Sequence, residues 1–488
     1  MFDNLIAGMH VGRILPEILV VVVAILALLT DVILPKGKST RGVQFVTLAG
    51  LLLVIASALW KAPEMGQAFG GMVMVDGFTF FFRLILPLVT IFIVFVSEDY
   101  IERARIRIGE YYLMILFSLF GMMLMVMAQD LLILFLGIET MSISLYALVG
   151  MSRHKAASNE GALKYFLLGA FTTGFLLYGI ALMFGLTGST NIVDIMMFFH
   201  VHHKIPLMAW AASGLILVAL AFKTALVPFH WWSPDAYEGA PTTVTAFMST
   251  APKAAAFAAF IRVFYVGLSG LSVGWTPVLW WIAVVTMVFG NLLALRQDSV
   301  KRMLAFSSIT HAGYLVVALL TFKAMGAAAI LFYLVSYAFM NIGAFVVAIA
   351  ANKDEDDDHG YSFDDFKGLA YRKPWIAIAM LVFMLSLAGI PPTAGFFGKY
   401  YIFSAAVRSG FVGLAIIGVL NSAVSVYYYL RLVVSMFMRD RDEATEVPIF
   451  WGREMAQAVF ICVILILLIG LFPQQLLNVA TASVSSLW

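Results

Sequence analysis

The chain has 488 residues, of which 62% are hydrophobic and only 12% charged, about half the charged share of a soluble globular domain. Its formal net charge of +2 gives no reason to expect nucleic acid as a partner. The single cysteine, Cys462, cannot make an iron–sulfur or zinc site of the usual kind, and the chain has neither a phosphate-cradling glycine loop nor a dinucleotide fingerprint. These counts predict an all-α polytopic membrane protein that carries no cofactor or metal of its own.

The first apolar run, 14–34, is longer than the core of a signal peptide and is not followed by a small-residue cleavage site, so it is read as a retained span. At about 20 residues per crossing, further spans fall near 43–60, 76–97, 111–128, 131–150, 161–186, 210–231, 242–266, 277–295, 300–320, 325–350, 374–404, 411–437 and 455–475. That makes about 14 transmembrane helices. Of the 30 basic residues, 19 lie in one set of alternate loops, among them Arg105, Arg153, Lys301, Lys353 and Arg441. Only six, Arg13, Lys61, Lys204, Arg262, Lys323 and Arg408, lie in the other set. The even span count and this bias place both termini outside, on the periplasmic side of a bacterial inner membrane.

The remaining five basic residues, Arg83, Lys164, Lys223, Lys253 and Lys399, fall inside apolar spans, where an ionisable group is a functional-site candidate by default. Lys223 is followed by Pro228, which cannot donate a backbone hydrogen bond and collides with the carbonyl of Thr224, so the helix is expected to kink or unwind. Unpaired backbone at that depth is tolerated only when packed in protein or lining a wet cavity. A second break, SLAGIPPTAGFFGKYY, carries Pro391, Pro392, Gly395 and Gly398 just before Lys399. Each break thus adjoins a lysine.

Glu139 lies about nine residues past Asp130, roughly 13 Å at about 1.5 Å per residue, close to the middle of the bilayer. Lys223 and Lys253 lie at similar depth. Burial disfavours a charged lysine and a neighbouring carboxylate favours it, so a Glu139–Lys223 pair would be a proton site whose affinity changes when the pair opens. A static pair that pins two helices is the alternative. Lys164 lies nearer the inside edge and could snorkel. His311, in SSITHAGY, is suited to relay protons between the depths of Lys253 and Lys399, or to serve as a hydrogen-bonded core histidine. His230 sits at the inside mouth near Asp235 and Glu238, where it would gate or cap the broken helix. Arg83 would bridge to Asp76 or reach a neighbouring subunit.

Other features take blander readings. The acidic run Asp354–Asp365 is a solvated inside connector. His200, His202 and His203 form a solvated outside loop, their spacing fitting no standard metal site. The aromatic groups Trp231–Trp232, Trp280–Trp281 and Tyr427–Tyr429 read as interfacial belts. Sliding the chain on itself by 168 residues lays Gln129, Asp130 and Tyr146 on Gln297, Asp298 and Tyr314. With five spans between aligned helices, the two copies would be inverted, as in many transporters.

The stretches FLGIETMSISLYALVG, FKTALVPFHWWSPDAYEGAP, KRMLAFSSITHAGYLVVAL and LSLAGIPPTAGFFGKYY closely resemble the subunit N family of the proton-pumping NADH:quinone oxidoreductase, respiratory complex I, one of the antiporter-like families. The resemblance covers essentially the whole chain. It implies fourteen helices, two inverted five-helix repeats with two broken helices, and a proton half-channel in each repeat. On that basis the chain divides into an N-terminal three-helix segment (1–110), first and second antiporter-like repeats (111–268 and 269–437) and a C-terminal helix (438–488). Glu139 and Lys223 would be the coupled pair, Lys253 the central link and Lys399 the terminal residue, with Lys164, His230 and His311 as relay candidates. Lysine at 399, where the sister subunit M has glutamate, favours N. The neighbours implied are subunit M and the small subunit K, with FMN, iron–sulfur clusters and quinone held elsewhere in the complex. A subunit of a cation/proton antiporter driven by an existing gradient is the competing expectation.

Overall fold

The structure is a computed structural model and describes residues 9–34, 40–62, 64–104, 106, 109–202, 205–352, 361–439 and 451–487. In hydrocarbon every backbone group must be satisfied internally, so apolar segments of this length become helices. In order these are α1 Leu15–Ile33, α2 Arg41–Trp60, α3 Gly77–Arg103, α4 Glu110–Met127, α5 Leu131–Val149, α6 Ala156–Thr187, α7 Ile192–Val201, α8 Leu207–Lys223, α9 Trp232–Gly239 and α10 Thr242–Phe260. After a π-helical turn, Ile261–Gly267, follow α11 Ser272–Leu295, α12 Val300–Leu319, α13 Ala324–Ala351, α14 Leu369–Arg372, α15 Pro374–Ala388, α16 Ala394–Arg408, α17 Val412–Met438, α18 Arg453–Leu471 and α19 Pro473–Val484.

Twelve helices among the described residues are long and apolar enough to cross a membrane. The difference from the expected fourteen lies in the two broken segments. Each consists of two shorter pieces, α8 with α9 and α15 with α16. At the C-terminus, where one helix is expected, Pro473 starts a second one, α19, after α18 ends at Leu471.

Three helices form the interior: α10 and α13 are buried along their whole apolar windows and α12 along 94% of its own. The peripheral helices α1, α6, α17 and α18 each bury only 33% of theirs. Close approach relies on glycine. A Cβ on Gly121 of α4 would collide with the backbone of α5 at Met141 and Gly137, the small-residue packing expected of helices in lipid. A short antiparallel hairpin, β1 Gly66–Ala68 with β2 Val73–Val75, lies between α2 and α3.

Both helices singled out by the 168-residue offset begin the same way. Asp130 caps α5 and pairs with Asn191 in an isolated antiparallel bridge. Ser299 caps α12 and pairs with Ser362.

Two buried ion pairs lock the N-terminal helices. Arg83 does not bridge to Asp76. Its guanidinium grips Glu17 of α1 with both Nε (2.8 Å) and Nη2 (2.7 Å), and donates to the Arg13 carbonyl at 2.9 Å. Asp76 is occupied instead by Arg262 from the π-turn, at 2.9 and 3.0 Å, while its Oδ1 caps α3 through the Thr79 amide. Arg262, assigned to an outside loop by charge counting, is buried.

Of the acidic run, residues 354–360 lie outside the described residues, while Asp364 pairs with Lys367 and Asp365 accepts from Ser362. In the histidine group, His203 lies outside the described residues, and His200 sits in the last turn of α7 rather than in a loop. Among the described residues no group of three or more His, Cys, Asp or Glu could hold a metal ion.

Removing one partner of a buried pair leaves the other charge uncompensated, which typically costs about 3–5 kcal/mol. Arg83→Met should therefore lower the melting temperature of the detergent-purified protein. Adding Glu17→Met should recover most of the loss; a double variant no better than the single one would show that Arg83 acts through packing alone.

Candidate functional site

The two broken segments place a lysine ammonium at an opened helix end. In the first, α8 stops at Lys223 itself, with Thr224 as its cap. The break therefore begins five residues before Pro228, because Ala225 adopts a left-handed φ of 57°. Freed backbone groups find local partners: the Trp232 indole donates to the Phe222 carbonyl at 2.9 Å, and the Val227 amide donates to Thr286 Oγ1 at 3.0 Å. In the second, α15 ends at Ala388 with Gly389 at φ 85°. Lys399, one turn into α16, donates to the Leu387 and Ala388 carbonyls, each at 2.9 Å, and to Ser422 Oγ at 2.8 Å. Helix C-termini carry partial negative charge and unsatisfied carbonyls, so this is a cation site made from backbone.

Lys223 is buried and donates to Ser142 Oγ at 2.7 Å and to Tyr146 OH at 3.4 Å, both on α5. Glu139, one turn before Ser142, instead accepts from Thr173 Oγ1 of α6 at 2.6 Å and is only half-buried. Glu139 and Lys223 therefore share a neighbourhood without forming an ion pair, and the Ser142 hydroxyl holds the lysine. Nothing in their spacing or depth pointed to this serine or to Thr173.

Lys253 lies in α10 immediately after Pro252. The carbonyl that Pro252 leaves without its helical donor, that of Met248, accepts instead from Tyr237 OH at 3.3 Å. Lys253 donates to the Ser308 carbonyl of α12 at 2.9 Å and also to the Ser308 hydroxyl. One turn along, His311 meets Tyr333 OH of α13 through Nδ1 and Tyr429 OH of α17 through Nε2, the latter at 2.9 Å. Tyr429 OH also bonds Ser307 Oγ. Tyr314, on the same helix, sets its ring 5.3 Å from Lys399 Nζ and 5.5 Å from the His311 ring. One helix, α12, thus places a side chain beside each lysine, Ser308 at Lys253 and the Tyr314 ring at Lys399, with His311 between them. Around this line, Tyr314 OH, Tyr337 OH and both amide atoms of Asn341 are buried without a protein partner, where ordered water is the usual partner.

Tyr428 and Tyr429 are not interfacial belt residues. Both are buried and hydrogen-bonded, and only Tyr427 faces outward. Trp232 is likewise buried, stacking on Tyr165 at 4.2 Å, while Trp231 is exposed. Paired aromatics at a predicted membrane edge look alike in sequence whether they face lipid or core.

Lys164 is partly exposed and pairs with Glu160 and Asp235, each at 2.6 Å. Arg302 joins Asp235 at 3.2 Å and bonds Glu238. These carboxylates are therefore engaged by Lys164 and Arg302, and His230 makes no ion pair with them. The His230 ring is buried against Trp231, and its Nδ1 has no protein partner.

Residues 128–425 match the family described as NADH:quinone oxidoreductase/Mrp antiporter, TM, a stretch that contains every lysine of this arrangement. The NADH-quinone oxidoreductase subunit N of Trichlorobacter lovleyi is 44% identical over 485 residues, covering 99% of this chain and 98% of that protein. A subunit N of Solibacter usitatus is 42% identical, with 97% of each covered. A chain of the solved structure "Respiratory complex I from Thermus thermophilus with bound Aureothin" superposes with a TM-score of 0.81 at 36% identity, over 95% of this chain and 99% of that one. The chain belongs to the NADH-quinone oxidoreductase subunit N family.

The second cation site depends on Gly389. A Cβ there would lie 2.9 Å from Lys399 Cδ, and the left-handed backbone costs a non-glycine residue about 1–2 kcal/mol. A high-resolution map of Gly389→Ala should show the Lys399 ammonium displaced from the Leu387 and Ala388 carbonyls. A lysine still bonded to both would mean that the glycine does not set its position.

Proposed function

We propose that this chain is the proton-translocating, non-redox membrane subunit of an NADH:quinone oxidoreductase. Protons would pass along the buried groups Glu139, Lys223, Lys253, His311 and Lys399, driven by quinone reduction elsewhere in the complex. The observation that carries this reading is that three lysines deep in the helix bundle are held by neutral acceptors, hydroxyls and opened-helix carbonyls, rather than by carboxylates. A static structural lysine in lipid would be expected to sit in a tight ion pair, as Arg83 and Arg262 do.

On this reading Lys164, with its carboxylate neighbours, and His230 lie on the inside mouth of the first half. The chain divides as 1–110, 111–268, 269–437 and 438–488, with two inverted repeats in the middle, a reading supported by an isolated antiparallel bridge at the N-cap of α5 and of α12. Flavin, iron–sulfur clusters and quinone belong to partner subunits, and the membrane neighbours are an M-type antiporter-like subunit and a K-type small subunit. Both termini face the periplasm of a bacterial inner membrane. An impermeant label that reached residues 354–358 in intact cells would reverse that orientation.

The family description also includes Mrp antiporters, so a gradient-driven cation/proton exchanger is the second reading. Comigration of the purified protein with flavin and iron–sulfur absorbance separates the two.

The test of the carrier role is Lys223→Arg. Arginine keeps its proton at any accessible pH, whereas a desolvated lysine can release one. Proton uptake by inverted vesicles during NADH oxidation should fall roughly tenfold or more in Lys223→Arg and Lys223→Ala alike at matched amounts of assembled complex, since a site that never deprotonates cannot pass a proton on. Near-parental pumping by the arginine variant would leave Lys223 as scaffolding.

A further inference from the structure

Helix α17 carries two pairs of polar residues, Asn421 with Tyr428 and Ser422 with Tyr429, the members of each pair seven positions apart. Seven residues make about two helical turns, so each pair lies along one stripe, and the offset of one residue turns the two stripes about 100° from each other. The second stripe meets the proposed route. Ser422 Oγ accepts from Lys399 Nζ at 2.8 Å, and Tyr429 OH bonds His311 Nε2 at 2.9 Å. The first stripe meets a single buried side chain, Asn291 of α11. Its Nδ2 donates to the Asn421 carbonyl at 2.7 Å and to Asn421 Oδ1 at 3.1 Å, and its Oδ1 accepts from Tyr428 OH at 2.9 Å. Thr310 Oγ1 of α12 donates to the same Oδ1 at 3.4 Å.

Packing alone does not fix α17 at this depth. It is a peripheral helix, and a cavity of about 840 Å³ opens between it and α16, reaching Gly389, Lys399 and Ser422. By contrast α11 closes tightly on α12, because Gly290 has no Cβ; one built there would lie 2.9 Å from the Thr310 amide nitrogen. Asn291 therefore stands on a closely packed pair of helices and grips the less supported one at two points of one stripe. With both amide protons and both lone pairs engaged, its orientation is set by its partners.

We infer that Asn291 is a positioning residue for the His311–Lys399 end of the proposed route. By clasping Asn421 and Tyr428 it sets the rotation and depth of α17, and so aims Ser422 at the lysine and Tyr429 at the histidine. Hydrogen bonds weaken steeply with misalignment, so a small turn of α17 would loosen both contacts together. Asn291 acts on them only through α17.

This inference rests on the proposed proton-carrying role, and the experiment separates the two. Asn291→Leu keeps the volume and removes the amide, while Tyr428→Phe removes one clasped hydroxyl and serves if the leucine variant does not assemble. A high-resolution map of the assembled complex should show Ser422 Oγ out of hydrogen-bond reach of Lys399, and Tyr429 OH out of reach of His311, in either variant. Proton uptake by inverted vesicles during NADH oxidation, at matched amounts of assembled complex, should fall roughly tenfold in Asn291→Leu and about fivefold in Tyr428→Phe, as expected for losing hydrogen bonds of this kind. In a Ser422→Ala background each variant should cost less than it does alone, because residues that act through a shared contact are not additive. A map with both hydroxyls still seated would overturn the inference. So would near-parental uptake by Asn291→Leu, which would make the residue a space-filler, or an undiminished loss in the Ser422→Ala background, which would make it a general brace of the bundle. Near-parental uptake by Lys399→Arg would instead remove the carrier role, and with it the route that Asn291 serves.

Discussion

A helix that ends inside a membrane leaves carbonyls with no donor, and an ammonium inside a membrane needs acceptors; at the second break of this protein each requirement meets the other. Either feature alone would be costly in hydrocarbon. Lys399 satisfies the terminal carbonyls of α15 at Leu387 and Ala388, and those carbonyls hold its charge. Lys223 is itself the last residue of α8, with Ser142 completing its coordination. At the second break, closing the helix would take two acceptors from Lys399, and removing the lysine would take the donor from the two carbonyls. The remaining architecture serves to keep two such ends open.

Acceptor strength follows from the same constraint. A backbone carbonyl or a serine hydroxyl stabilises a charged lysine less than a carboxylate does, so on the proposed carrier role the proton would be held without being trapped. The contrast within the chain is direct: Arg83 and Arg262, which cannot titrate, are locked by the carboxylates of Glu17 and Asp76. The bundle thus uses carboxylates where charge should stay put. It uses neutral oxygens along the proposed route. The middle of that route is α12, whose Ser307, Ser308, His311 and Tyr314, spread over two turns, touch α10, α13, α16 and α17.

The sequence alone located both breaks, because Pro228, Pro391 and Pro392 cannot continue a helix and each lies within a few residues of an intramembrane lysine. The first break falls at Thr224, where the clash with Pro228 was expected to put it; what the sequence could not show is the left-handed Ala225 that follows. Depth counting brought Glu139 and Lys223 into one neighbourhood but could not show that Ser142 holds the lysine, since hydroxyls are common in every span. Pairings between distant segments were equally illegible. Glu17 and Arg83 are 66 residues apart, and Asp76 and Arg262 are 186 apart, so periodicity offers nothing to join them. The burial of Tyr428 and Tyr429 was hidden for another reason, because a tyrosine facing lipid headgroups and one facing a polar core satisfy the same local pattern.

The central claim is that Lys253, His311 and Lys399 lie on one hydrated path rather than in separate pockets. The most direct measurement is an electron-density or cryo-EM map of the assembled complex fine enough to place ordered water. The account predicts waters bonded to Tyr337 OH, Asn341 and Tyr314 OH, forming an unbroken hydrogen-bonded chain from the Lys253 ammonium through His311 to Lys399. A dry, closely packed apolar contact between His311 and Lys399, with those three groups satisfied by protein alone, would contradict it.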